Sequence, residues 1–155
     1  MSQSEDNAGI LMHPPIYYIG AMVIGFTLDY VHVLPIGYKN ITGPASIVVF
    51  LVGLFIMVMG FKKFTQHKQS PSVHASAGQV FTSGIYSFTR NPLYLGLLMM
   101  VFSVGLFFDK AWLLIVCAPL VILMTILVIK KEEAYLTQKF GAQYLDYKQK
   151  VRRWI

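Results

Sequence analysis

Residues 90–133 read RNPLYLGLLMMVFSVGLFFDKAWLLIVCAPLVILMTILVIKKEE, an apolar stretch whose charges gather at its two ends. Arg90 opens it, Lys130-Lys131-Glu132-Glu133 closes it, and Asp109-Lys110 breaks it between. The pattern predicts two apolar helices joined by a turn at 109–110, a hairpin that returns both charged ends to the same side. A charge in hydrocarbon costs about 3 kcal/mol or more, so an arginine and two glutamates at the edge of an apolar wall mark a candidate functional site.

The rest of the chain agrees with a membrane setting. Its 155 residues fit one domain, 1–155. Apolar residues make up 55%, charged residues 13%, and the mean hydropathy is +0.57, too few charges to cover a soluble domain of this size. The net charge of +6 does not point to nucleic acid, because the basic residues fall where membrane topology would put them rather than along one polar face. Cys117, the single cysteine, lies in an apolar run, and His67 and His74 lack metal-ligand spacing. No metal site is predicted. Residues 1–13 read as a flexible N-terminus, and residues 1–9, polar and acidic, do not have the pattern of a signal peptide.

Apolar segments run over about 15–36, 42–61, 92–108 and 111–129, each near the ~20 residues that cross ~30 Å of hydrocarbon. Pro14-Pro15, Pro35, Gly43-Pro44 and Pro92 punctuate their ends, and Pro119 predicts a kink in the fourth. Gly20, Gly25, Gly53 and Gly105 suit helix packing. Residues 130–151 read as an amphipathic helix with Leu136, Phe140, Tyr144, Tyr147 and Val151 on one stripe, interrupted at Gly141. The expected fold is therefore an all-α integral membrane protein with four transmembrane helices plus a cytoplasmic amphipathic C-terminal helix. Eleven of the thirteen basic residues lie in the 62–91 loop and the tail, leaving Lys39 and Lys110 opposite. By the positive-inside rule, the protein is expected in the inner or plasma membrane with both termini cytoplasmic.

Glu133 falls on the apolar stripe of the tail, so its carboxylate needs a partner, and topology nominates Arg90. Plainer roles fit the same residues. Arg90 alone suits a positive anchor, Glu132 and Glu133 a solvated helix start, and Tyr86 and Tyr94 an interfacial aromatic belt. Asp29 and His32, one turn apart near the outer end of the first span, form a rival signal. Asp29 reads as snorkelling toward the outer interface, as a local pair with His32, or as the coupling residue of a small four-helix ion-coupled transporter.

Three stretches resemble a known family. Arg90-Asn91-Pro92-Leu93-Tyr94-Leu95-Gly96 resembles the Arg-His/Asn-Pro-x-Tyr-x-Gly motif of isoprenylcysteine carboxyl methyltransferases and their bacterial relatives. Val80-Phe81-Thr82-Ser83-Gly84-Ile85-Tyr86 is similar to that family's Leu-Val-x-x-Gly-Pro-Tyr loop, with Ile85 in place of proline. Glu132-Glu133, followed by Phe140-Gly141, Tyr144 and Val151-Arg152-Arg153, is similar to its Glu-Glu tail. Phospholipid N-methyltransferases share a looser version of the pattern. Asn91 stands where eukaryotic members have histidine, and residues 66–71 replace a Gly-Thr-containing stretch.

The resemblance implies S-adenosylmethionine as methyl donor and a lipophilic small molecule or lipid-linked group as acceptor, with membrane lipids as surroundings. It assigns catalysis to Arg90 and Glu133. Donor binding would fall to Val80, Thr82, Gly84, Tyr86, Arg90, Asn91, Pro92, Tyr94, Gly96, Glu132 and Glu133, and substrate binding to Tyr144 and Arg153. A carboxylate acceptor needs no base, whereas an amine acceptor, as in a lipid amine N-methyltransferase, would have to lose a proton to a neighbouring glutamate. The sequence leaves that choice open, as it does the oligomeric state and a noncatalytic membrane subunit of the same fold.

Overall fold

A computed structural model describes residues 8–70, 72 and 76–155; residues 1–7 of the expected flexible N-terminus, Pro71 and His74 lie outside the described residues. The described chain is all-α. Helix α1 (Pro14–Val31) starts on prolines, whose missing N–H costs nothing in a first turn. Helix α2 (Lys39–Gln66) follows, then a short 3-10 turn (Gly84–Ser87) and α3 (Pro92–Phe108). Helix α4 (Ala111–Phe140) and the short α5 (Ala142–Lys150) complete the architecture.

Four spans and a separate tail helix are not what forms. Among the described residues, two helices are long and apolar enough to cross a membrane: α2, with 28 residues, and α4, with 30. Helix α1 has 18 residues and stops at Val31 rather than near 36. There Asp29 Oδ1 accepts the Leu34 N–H and the chain turns extended toward Pro35. Helix α3 has 17 residues, about 26 Å at 1.5 Å per residue and short of the ~30 Å of hydrocarbon. The tail helix is likewise no separate element. Nothing between Ile129 and Phe140 breaks a helix, and the lysines and glutamates there are good helix formers, so α4 passes straight through. At 30 residues it is about 45 Å long, so Lys130–Phe140 projects beyond what hydrocarbon can cover. It ends at Gly141, whose φ of +53° suits glycine.

Helix α4 is irregular at two places. Its regular hydrogen bonding lapses at Val116, next to Ile115, whose carbonyl Pro119 cannot reach with an N–H. A π-turn spans Thr125–Ile129, where the Lys130 N–H reaches back to Thr125 O. Leu113, Met124, Val128 and Ile129 on this helix are fully buried, so α4 carries much of the core. Helix α2 instead leaves Ile47, Val48, Leu51 and Phe55 exposed, an apolar face suited to lipid. Together α2 and α4 support a membrane location.

The α2–α3 contact is set by glycines. A Cβ on Gly96 would lie 2.7 Å from Gly53 O and 2.9 Å from Met57 Cβ, and one on Gly60 would lie 2.8 Å from Leu93 Cδ2. Partner numbers fall on α3 as they rise on α2, so the helices are antiparallel and α3 begins beside the end of α2. Gly25 and Gly105 face Leu113 in the same way, whereas Gly20 has open space around it. Gly96→Leu is expected to drive the two backbones apart and to cost about 3 kcal/mol. A thermal melt in detergent checks this, and an unchanged midpoint would contradict it.

At the far end of α3 a polar clasp ties α1 to the α3–α4 turn. Lys110 pairs with Asp29, Asp109 Oδ1 accepts from the Ile36 and Gly37 N–H groups at 3.1 and 2.9 Å, and Trp112 Nε1 donates to His32 O at 2.8 Å. Asp29 is thus paired with Lys110, not with His32.

Candidate active site

The opposite end of the bundle holds a cavity. Its floor is the first turn of α3, one wall is the projecting end of α4, and Gln69, Ala77, Gln79, Val80, Phe81 and the tyrosines of α5 close it. Arg90 enters this wall just before α3, and Glu132 and Glu133 enter from α4 some forty residues later, because α3 runs out and α4 returns.

Glu133 is the hub of a buried ion network. Its Oε1 accepts Arg153 Nε at 2.8 Å, its Oε2 accepts Arg153 Nη2 at 2.9 Å, and Lys148 Nζ stands 3.4 Å away. Arg90 Nη1 lies 3.1 Å from Glu133 Oε1, with both side chains nine-tenths buried. Burial alone would push the Glu133 carboxyl up, but the Arg153 hydrogen bonds and the charges of Arg90, Arg153 and Lys148 outweigh it and hold the group below its ordinary value. Glu133 is saturated.

Arg90 is not saturated. Its Nε and Nη1 are buried without an aligned hydrogen-bond acceptor among the described residues, although Arg90 also hydrogen-bonds Tyr144. Glu132, one residue from the hub, faces the cavity in a different state. Burial pushes its carboxyl up to about 7; the Tyr94 hydroxyl, donating at 2.6 Å, pulls it back, and the neighbouring Glu133 charge adds to the rise. One cavity wall thus carries a buried cation, sharing its counter-charge with two others, beside a carboxyl reluctant to ionise.

The backbone around Arg90 is equally tied down. Arg90 N–H donates to Arg152 O at 3.1 Å, and the Asn91 side-chain amide and Thr89 hydroxyl donate to Arg153 O at 2.8 and 3.3 Å. Tyr18 donates to Tyr94 O and Tyr147 to Tyr86 O, which fixes two further wall residues.

Of the residues nominated from the sequence, Val80, Tyr86, Arg90, Asn91, Pro92, Tyr94, Glu132, Glu133 and Tyr144 line the cavity. Thr82 is exposed, Gly84 faces Lys63, and Gly96 is spent on the α2 contact. Arg153 stands behind Glu133 rather than on the wall. Residues not nominated also take part. Phe64, Phe81 and Tyr86 form an aromatic cluster with Phe81 centroids 4.9 and 5.5 Å from the other two. Gln69 Oε1 accepts the Gln79 N–H at 3.2 Å, and the Tyr135 hydroxyl accepts the Ala77 N–H at 3.0 Å, which holds the covering segment in place. Ala8 lines the cavity and Ile10 is buried beside it. Their signal in sequence is weak, since polar loop residues have no periodicity. Among the described residues no group of three or more His, Cys, Asp or Glu is gathered to hold a metal.

Comparison with known proteins places this arrangement. A 65-residue stretch, 41% of the chain, is 43% identical to an uncharacterised protein of Haemophilus influenzae and covers 100% of it. No solved structure matches the chain. Residues 41–143 match the phospholipid methyltransferase family, a span that runs from the start of α2 through Arg90 and both glutamates into α5. With more than half its length and most of the cavity wall inside that match, the chain belongs to the phospholipid methyltransferase family, a methyltransferase family associated with S-adenosylmethionine and with membranes.

Proposed function

We propose that the cavity carries S-adenosylmethionine-dependent methyl transfer to a lipophilic acceptor at the membrane face. The observation behind this reading is that Arg90, buried and sharing Glu133 with Arg153 and Lys148, and Glu132, its carboxyl near 7, stand on one wall. A buried guanidinium that shares its one carboxylate with two other cations is stabilised when a second anion meets it, and a carboxyl that resists ionising is relieved by a cation. The amino-acid end of S-adenosylmethionine carries a carboxylate beside cationic groups, so the residues fit the donor. Arg90 would hold the carboxylate through its planar fork, Glu132 the cationic side, and Phe64, Phe81 and Tyr86 would give the adenine an aromatic surface. The donor supplies an electrophilic methyl; the protein's part is to align it and to keep water out. Glu133, already saturated, acts by holding Arg90 and not as a donor ligand.

For the acceptor, the resemblance to isoprenylcysteine carboxyl methyltransferases suggests a carboxylate on a lipid-like group. A specific observation favours a second reading, an amine-bearing lipid. Arg90 is the one Lys, Arg or His among the described lining residues, and the donor would use it. A carboxylate acceptor would then meet no cation in the cavity, whereas an amine needs none. The cavity end of the bundle also bears Lys62, Lys63, Lys130 and Lys131, which supports a cytoplasmic orientation.

Titration calorimetry of S-adenosylhomocysteine against the purified protein tests the donor, with one saturable site expected and no binding overturning the reading. Transfer of labelled methyl into solvent-extracted lipid then tests the acceptor. Asp29→Asn is expected to leave donor affinity within about twofold, since Asp29 belongs to the clasp at the other end of α3. Proton- or cation-coupled flux lost in that variant, with no donor binding in the wild type, would instead support a transporter.

A further inference from the structure

We infer that Arg153 is a positioning residue that keeps Arg90 competent to receive a carboxylate, and that it does not itself contact substrate. The inference rests on the reading of Arg90 given above. Arg153 lies off the cavity wall, and its Nε and Nη2 are both committed to Glu133 at 2.8 and 2.9 Å. The edge of the guanidinium that could grip a carboxylate in a fork is therefore already taken by Glu133.

Arg153 controls Arg90 from two directions at once. Its side chain fixes Glu133, whose Oε1 stands 3.1 Å from Arg90 Nη1. Its carbonyl accepts from Asn91 Nδ2 and Thr89 Oγ1, the residues on either side of Arg90, while the preceding Arg152 carbonyl accepts the Arg90 N–H. The strap that carries these carbonyls is pinned by Trp154, whose Nε1 donates to Thr125 Oγ1 at 3.1 Å. Thr125 opens the π-turn of α4, and its hydroxyl also donates to Val121 O. The irregular turn of α4 therefore anchors the strap that braces the arginine. A second consequence concerns charge. Because Arg153 and Lys148 share Glu133 with Arg90, that carboxylate offsets only part of the Arg90 charge, and a further anion in the cavity is attracted to the remainder.

Two probes separate positioning from general support: S-adenosylhomocysteine, which has the amino-acid carboxylate, and 5′-methylthioadenosine, which lacks it. Calorimetry on the full chain in detergent is expected to show Arg153→Gln weakening the first by about thirtyfold and the second by less than about threefold. Arg153→Lys, which keeps the charge but not the fork, should fall between at about fivefold. Combining Arg153→Gln with Arg90→Ala should be no weaker than Arg90→Ala alone, because both act through one guanidinium. In a Trp112→Phe background Trp154 is the one remaining tryptophan, and its emission should be unchanged by Arg153→Lys if the strap stays docked. Equal loss of both probes, unchanged affinity for S-adenosylhomocysteine, or additive losses in the double variant would overturn the inference. If wild-type protein binds the two probes equally, the reading of Arg90 itself fails and this inference falls with it.

Discussion

Arg90→Ala is expected to weaken S-adenosylhomocysteine binding by roughly 100-fold or more and to leave a folded protein. The size follows from burial. A charged hydrogen bond broken on one side of a buried pair costs about 3–5 kcal/mol, and about 1.4 kcal/mol is a factor of ten. The folded state should persist because Glu133 keeps Arg153 and Lys148 when Arg90 is removed. Arg90→Lys retains the charge without the planar fork and should recover only part of the affinity. Glu133→Ala makes a telling contrast, since it leaves Arg90, Arg153 and Lys148 together with no counter-charge and should lower the thermal midpoint as well as the affinity. Calorimetry paired with a melt on each variant decides the matter. Arg90→Ala protein that binds within about threefold of wild type would remove Arg90 from the donor site.

The convergence of Arg90 with Glu132 and Glu133 was legible because it depends only on an apolar stretch that turns once near Asp109. Topology alone then nominated the Arg90–Glu133 pair, which stands at 3.1 Å. The number of spans was not legible. An apolar side chain that packs on a neighbouring helix and one that meets lipid look alike in composition, so α1 and α3 read as spans although α3 ends too soon and α1, with Pro14, Pro15 and Asp29 in its 18 residues, is not apolar enough. The continuity of α4 was hidden for a related reason. Composition changes sharply at Lys130, but a helix stops where backbone geometry demands it, and that point is Gly141. Gly96 was assigned to the ligand because it sits in the motif, while its close neighbour is the backbone of Gly53. The seven-residue spacing of Gly53 and Gly60, two turns along one face of α2, was the available clue. Gln69 and Gln79 meet across a loop, and no local pattern announces such a pair.

Donor binding should also depend on pH through Glu132. Its carboxyl is raised from 4.5 to about 7 by burial, so in the free protein the protonated form prevails below about pH 7 and the ionised form above it. The stability this group contributes is fully present below about pH 4.5 and is lost as pH rises through about 7. A bound cation reverses the preference and draws the proton off. Affinity for the cationic donor should therefore be about tenfold weaker near pH 6 than near pH 8, with a proton released on binding at the lower pH. Titrations in buffers of different ionisation enthalpy count that proton directly. Glu132→Gln should flatten the pH profile and weaken donor binding by about tenfold at the higher pH, while Tyr94 keeps an acceptor in the amide oxygen. Affinity that is level between those pH values, with no proton exchanged, would take Glu132 out of the donor site.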